Sequence, residues 1–336
     1  MPEISIIMPC FNVEKYIERS FESILNQTMD LKNIEVIMVD DCSTDNTKNI
    51  IKEYDEKYSN FKAVYHETNS GGCAIPRNSG LNVATGKYIM FLDPDDEFVP
   101  DMCETMYNKI EETNVDLVKC NFERVYPTYS TLDYPFDISL NEIKLNCETD
   151  LPPNEFSACT GIYKKSFLDE KNIKFADLKN GEELLFSLTN HVNTDAIIFL
   201  NHYHGYKYYT NETMSHASRP SKDNLDAILN SFYLIKELLE SKNRLDIIKL
   251  FYSGTPIAFF FRLMYYDGDK KEYLKKYYEL EKSLNVELTM EYKWLDILNK
   301  LLMKKQFTLC VWYMNIMKFI RDSPLVGIYR KLTMRT

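Results

Sequence analysis

Over the first hundred residues, short apolar runs alternate with segments whose apolar positions recur every three or four residues. Ile4–Met8 is a β-rich run that stops at Pro9, and Ile34–Val39 is continuously apolar, the pattern of a strand buried on both faces. Between them, Ile17, Phe21, Ile24 and Leu25 share one helical face within 14–27. Ser43, Thr44 and Asp45 offer N-cap oxygens to a helix ending near Tyr58. Phe61–His66 and Tyr88–Leu92 repeat the strand signal around a helix over Pro76–Ala84, and Met102, Met106 and Ile110 mark another helix after Asp93–Pro100. This alternation predicts βαβ units and a mostly parallel sheet.

From 114 to 215 the pattern is less regular, with strands expected over Asp116–Cys120 and Ala196–Leu200 and a helix over 181–191. Beyond 220 the strands stop. Leu225, Ile228, Leu229, Phe232, Ile235, Leu238 and Leu239 mark a long amphipathic helix, and helical patterns continue to the end. The expected organisation is an α/β domain over 1–220 and an all-helical domain over 221–336.

The chain has 336 residues, 45% apolar and 27% charged, so a packed core is expected rather than disorder. A net charge of −10 argues against nucleic acid as the main partner. The charge is uneven: Lys300–Thr336 holds eight basic residues and one acidic one, Asp322, leaving +7 there and −17 elsewhere. The eight cysteines form no CxxC or Cys/His pairing, which points away from zinc and towards free thiols in a reducing cytosol. MPEISIIMP does not read as a signal peptide, and no run of 18 apolar residues calls for a bilayer span.

Ligands of open parallel sheets bind beyond the carboxyl ends of the strands. Four polar features stand at such places: Pro9-Cys10-Phe11-Asn12, Asp40–Asp45, Gly71–Gly80, and Asp93-Pro94-Asp95-Asp96. Three carboxylates in four positions repel one another unless a cation or proton intervenes, and Mg²⁺ or Mn²⁺ suits carboxylate with phosphate oxygen. A solvated turn capping the next helix accounts equally well for that quartet alone. An EF-hand fails because Phe98 stands where the loop needs Gly. Asp41 suits a base or ribose edge, or a helix cap; Phe11 a nucleobase, or the core; Arg77 a diphosphate, or an exposed helix face. Neither GxGxxG nor GxxxxGK[ST] occurs.

Taken in order, ISIIMPCFN, SILNQT, IEVIMVDDCSTDNT and NSGGCAIPRNSGLNVATGKYIMFLDPDD resemble the family 2 glycosyltransferases of GT-A fold, densely over 3–105 and loosely to about 215. The resemblance implies a Rossmann-like α/β domain and inverting transfer of a sugar from a nucleotide diphosphate sugar, usually UDP-linked, with a divalent metal, Mn²⁺ or Mg²⁺. It puts Pro9, Phe11 and Asn12 on the first nucleotide-binding loop, Asp41 at the uracil, and Arg77 and Asn78 near the diphosphate and ribose. Asp93 falls near the ribose and metal, and Asp95 on the metal.

The family's Glu-Asp pair, whose Asp is the base, is matched by Glu182-Glu183, so Glu183 is the expected base with a side chain one methylene longer. His204, Lys207 and His216 are the basic residues available for the diphosphate in the later segment. The implied acceptor is a hydroxyl of a cell-surface glycan or a lipid-linked chain. Two rivals are a sugar nucleotidyltransferase, which lacks its Gly-rich basic loop after the first strand, and a non-catalytic glycan-binding scaffold.

Phe307–Ile320 reads as a core helix, while basic 321–336 suits an anionic membrane surface on the inner face of the cell membrane. Phe251–Tyr266 reads as helical core or as a dimer contact in a homo-oligomer.

Overall fold

A computed structural model describes residues 1–322 except 133, 151–156, 211–219, 255, 285–287, 289 and 291. The chain divides into two compact units, Met1–Thr213 and Met214–Thr336, against the sequence expectation of 1–220 and 221–336.

The first unit runs β1 (Ile4–Cys10), α1 (Ile17–Leu25), β2 (Ile34–Asp40), α2 (Thr47–Lys57), β3 (Phe61–Tyr65), α3 (Ala74–Val83), β4 (Tyr88–Phe91) and β5 (Glu97–Phe98). It continues with α4 (Met102–Thr113), β6 (Leu117–Val125), β7 (Ser130–Leu132), β8 (Glu142–Asn146), β9 (Gly161–Lys164), α5 (Lys165–Glu170), α6 (Glu182–His191) and β10 (Ala196–Tyr209). The sheet order is β3-β2-β1-β4-β9-β6-β10-β5, with β7 on β6 and β8 on β10.

Strands β1 to β4 pair in parallel, as their helical crossovers require. Every residue of β1 and β2 is buried, matching their uninterrupted apolar runs. Ile17, Phe21 and Ile24 of α1 are fully buried, each contributing about 1.5–3 kcal/mol. Gly80 of α3 is required by packing, because a Cβ there would lie 2.3 Å from Ile7 Cγ2.

Beyond β4 the two long strands β6 and β10 pair in parallel and keep the direction of β1 to β4, and short antiparallel strands join them. β9 inserts antiparallel between β4 and β6, β7 returns on β6 through a tight turn, and β5 and β8 are antiparallel to β10. None of β5, β7, β8 or β9 exceeds five residues, too short to show a period. β10 is also far longer than the Ala196–Leu200 run, because its polar second half still pairs with β6.

The second unit holds α7 (Lys222–Ser241), α8 (Leu245–Gly254), α9 (Ile257–Tyr265), α10 (Lys270–Ser283), α11 (Lys293–Met303) and α12 (Phe307–Arg321). α7 begins where Ser221 Oγ accepts from Asn224 N. Phe251, Phe259 and Phe260 are buried, so this aromatic stretch is helical core. α12 buries Cys310, Met314 and Met317 but exposes Leu309, Trp312 and Phe319, so it is only half a core helix. The basic positions beyond 322 lie outside the described residues. No helix among the described residues is long and apolar enough to cross a membrane.

Candidate active site

In the order β3-β2-β1-β4 the direction of winding reverses between β1 and β4, which opens a crevice at their carboxyl ends. The β1–β4 ladder ends at Ile7 and Phe91, so buried Pro9, with no N–H to give, sits where the two strands have parted. Phe11 follows, 44% exposed at the rim. Asn12 takes a left-handed conformation (φ 52°), and its Oδ1 accepts from Thr44 N at 2.8 Å, tying the first loop to the second. The cap expected at 43–45 comes from Asp45, whose Oδ1 accepts from Thr47 N at 2.9 Å.

Asp41 is buried and caps no helix. Its Oδ1 lies 2.7 Å from His66 Nδ1, while Oδ2 accepts from Ser70 N (2.9 Å), Ser70 Oγ (2.8 Å) and Asn69 Nδ2 (3.1 Å). The carboxylate thereby shapes the 69–72 loop, which turns through Gly71 at φ 82°.

The acidic loop after β4 is clamped from α1. Ser20 Oγ lies 2.8 Å from the Pro94 carbonyl and 2.5 Å from that of Asp96. Arg19 donates to the Asp95 carbonyl, pairs with Glu97 at 3.0 Å and stacks 3.7 Å from the Tyr209 ring centroid. Asp96 accepts from Tyr206 Oη (2.6 Å) and Tyr209 N (2.8 Å), so this third carboxylate ties the loop to β10. Burial, then Asp95 and Asp93, push its pKa to about 8. Asp95 takes no side-chain partner among the described residues; burial and the neighbouring Asp93 push it up to about 6.

At the crevice floor, Arg77 of α3 is 1% exposed. Its Nη2 contacts Asp93 Oδ1 at 2.8 Å and Glu183 Oε1 at 2.5 Å, and its Nη1 is 3.8 Å from Glu182 Oε1. Its guanidinium lies 5.1 Å from the Phe175 ring centroid. Glu182 and Glu183 open α6 directly after Gly181, whose φ of 85° suits glycine, and the helix N-terminus favours their negative charge. Burial pushes Glu183 up to about 7, with Arg77 pulling it down and Asp93 pushing against that. Glu182 is raised for the same leading reason, opposed by Arg77.

Glu183 and Asp93 also line a cavity of about 270 Å³ together with Phe122 and Arg124 of β6 and Tyr206 and Tyr208 of β10. Nucleophile activation by a carboxylate with a pKa near 7 is chemically available there.

Several expected site residues are placed differently from their sequence reading. Arg77 faces inward onto carboxylates, so its fork is not presented to a diphosphate. Asn78 clips the 175 backbone, donating to Phe175 O (2.8 Å) and accepting from Phe175 N (3.0 Å). Lys207 lies between Tyr206 and Tyr208, so strand alternation turns it away from the cavity. His204 packs edge-on to Tyr134, with ring centroids 5.0 Å apart. His216 lies outside the described residues.

Asp93, Cys159 and Glu183 come within 4.8 Å of one another as donors for a metal. Arg77 Nη2 already contacts both carboxylates and lies 3.9 Å from Cys159 Sγ, so that position has its cation. The donor chemistry of Asp95, a carboxylate held near like charge without a side-chain hydrogen-bond partner among the described residues, does fit Mn²⁺ or Mg²⁺, with Asp93 nearby. Arg19, Ser20 and Tyr206 went unrecognised from sequence. Only the helical face of α1 could have pointed to the first two.

A unit of this topology, with its crevice at the β1–β4 reversal and an acidic loop beyond β4, has the GT-A fold. Residues 5–170 match the family described as Glycosyl transferase family 2, and this stretch of the chain belongs to that family. The solved S. aureus TarS 1-349 in complex with UDP has a similar fold, with a TM-score of 0.73 at 22% identity, covering 94% of this chain and 90% of that one. The minor teichoic acid biosynthesis protein GgaB of Bacillus subtilis is 30% identical over 268 residues, 78% of this chain and 28% of that protein. The poly(ribitol-phosphate) beta-N-acetylglucosaminyltransferase TarP of Staphylococcus aureus is 34% identical over 195 residues, 56% of this chain and 57% of that protein. The chain thus spans between 28% and 57% of these two relatives' length.

Replacing Arg77 with Ala leaves three half-buried carboxylates clustered around a buried position without a counter-charge. The variant should lose about 3–5 kcal/mol of stability in urea denaturation; a loss below about 1 kcal/mol would show that the guanidinium does not hold the cluster together.

Proposed function

We propose that this chain is an inverting glycosyltransferase that moves a hexosyl or N-acetylhexosaminyl group from a UDP-sugar to a hydroxyl of a repeating cell-surface polymer. The observation that carries the proposal is the placing of Glu183, with its raised pKa, on the cavity wall beside Asp93 of the acidic loop. Family membership supports the reaction class, and relatives named for poly(ribitol-phosphate) support a polymeric acceptor.

In this reading, Phe11 offers a face to the uracil, and Asn12 and Asp41 hold the two loops that surround the nucleotide. Asp95, with Asp93, would hold the divalent cation, which when bound neutralises diphosphate charge. Glu183 takes the proton of the acceptor hydroxyl as its oxygen attacks the anomeric carbon from the face opposite the diphosphate. The bond from that carbon to the diphosphate breaks, and inversion follows from the single displacement. Arg77 is a positioning residue, fixing Glu183 and Asp93 relative to each other. A scaffold role is less favoured, because it gives no reason to retain a buried cation among three carboxylates.

The test is UDP release from a panel of UDP-sugars with Mn²⁺ or Mg²⁺. One donor should be turned over, Asp95→Ala should abolish turnover, and Glu183→Gln should keep donor binding while losing about 10²–10⁴-fold in acceptor-dependent rate. Because the base works deprotonated and burial pushes it up to about 7, acceptor-dependent kcat/KM should climb about fivefold from pH 6 to 7 and level off above 8. Release from no donor, or an unaltered Glu183→Gln, would overturn these assignments.

The chain also attaches peripherally to anionic membrane on its cytoplasmic side, in our reading. The +7 charge of its last 37 residues supports this, as do exposed Trp312 and Phe319 on α12. Full chain should float with phosphatidylglycerol vesicles at low salt and the W312A/F319A double variant should not; equal flotation would refute attachment through α12.

A further inference from the structure

The aromatic lining that β6 and β10 give the cavity does not end at the cavity. Phe122 and Arg124 line it from one face of β6, and Tyr126 follows one residue past the end of that strand. β10 pairs with β6 through Tyr206↔Phe122 and Tyr208↔Arg124, placing two further rings alongside. The chain then turns, closed by Tyr126 N donating to Tyr129 O at 2.8 Å, and returns as β7. At this turn the Tyr126 and Tyr129 rings stack, 4.5 Å between centroids and 16° between planes. Tyr129 is 59% exposed and Tyr208 37% exposed. Arg124 stands midway, its guanidinium 5.3 Å from the Phe122 ring and 5.2 Å from the Tyr208 ring.

Phe122 to Tyr126 spans about 13 Å of extended chain, longer than one sugar residue. A stacked tyrosine pair at the turn before a three-residue edge strand, one ring half-buried and the other exposed, adds little to the core, and exposed apolar patches of this kind mark ligand grooves. We propose that this strip is an acceptor subsite, along which a polyol-phosphate chain lies while one of its hydroxyls reaches Glu183. The rings take the C–H faces of the polyol or its attached sugars, and Arg124 suits the phosphodiester charge between units. The inference rests on the glycosyltransferase reading of the cavity and adds where the polymer runs and what it is made of.

The experiment measures transfer to ribitol-phosphate oligomers of two and of eight units, with UDP release in the absence of acceptor recorded alongside. Wild type should show a KM for the octamer about tenfold below that for the dimer. Tyr129→Ala and Tyr126→Ala should bring the two KM values within about twofold of each other. Their kcat at saturation and acceptor-free UDP release should stay as in wild type, and Tyr129→Phe should restore the length preference. No length preference in wild type, an unchanged preference in both Ala variants, or refusal of both oligomers while UDP release persists would overturn the strip. Absence of UDP release from wild type would instead bring down the reading of the site, and the strip with it.

Discussion

The first unit is organised around one buried cation. Arg77 meets Asp93 from the loop after β4 and Glu182 and Glu183 from the start of α6, three carboxylates that would repel one another without it. A paired charge with almost no exposure contributes little net stability, since desolvation offsets most of the attraction. What it supplies is position. Two elements about ninety residues apart in sequence are held to one guanidinium, and a raised carboxyl is kept at the edge of a cavity.

The surrounding structure serves the same geometry. The sheet reverses between β1 and β4, so their loops face one crevice. α1 grips the acidic loop by its backbone through Arg19 and Ser20, and Asp96 fastens it to β10 through Tyr206 and Tyr209. With its backbone held from both sides, the loop keeps Asp95 half-buried and without a side-chain hydrogen-bond partner among the described residues, a costly arrangement that a hard cation would relieve. Antiparallel β9 joins β6 and β10 to the parallel strands, and side chains of β6 and β10 line the same cavity as Glu183.

Much of this was legible in the sequence, because the first four strands and their helices carry their own periodicity and their loops carry unmistakable polar motifs. The Gly-Glu-Glu start of α6 was legible for the same local reason. The direction of Arg77 was not, since two of the three carboxylates it meets, Glu182 and Glu183, lie more than a hundred residues later in the chain. Asp96 looked like a third metal or capping carboxylate, and its tie to Tyr206 depends on a strand 110 residues away. β9 has only Gly-Ile-Tyr-Lys to announce it, and the second half of β10 is too polar to read as buried strand. Local pattern reports helices and loops well; it does not report which distant charge a buried arginine chooses.

The most direct measurement is a crystal structure with UDP and Mn²⁺, with the metal located by its anomalous signal. The account predicts a peak beside the Asp95 carboxylate while Arg77 still bridges Asp93 and Glu183. A guanidinium swung onto the diphosphate, or a peak inside the Asp93, Cys159 and Glu183 triangle, would contradict it.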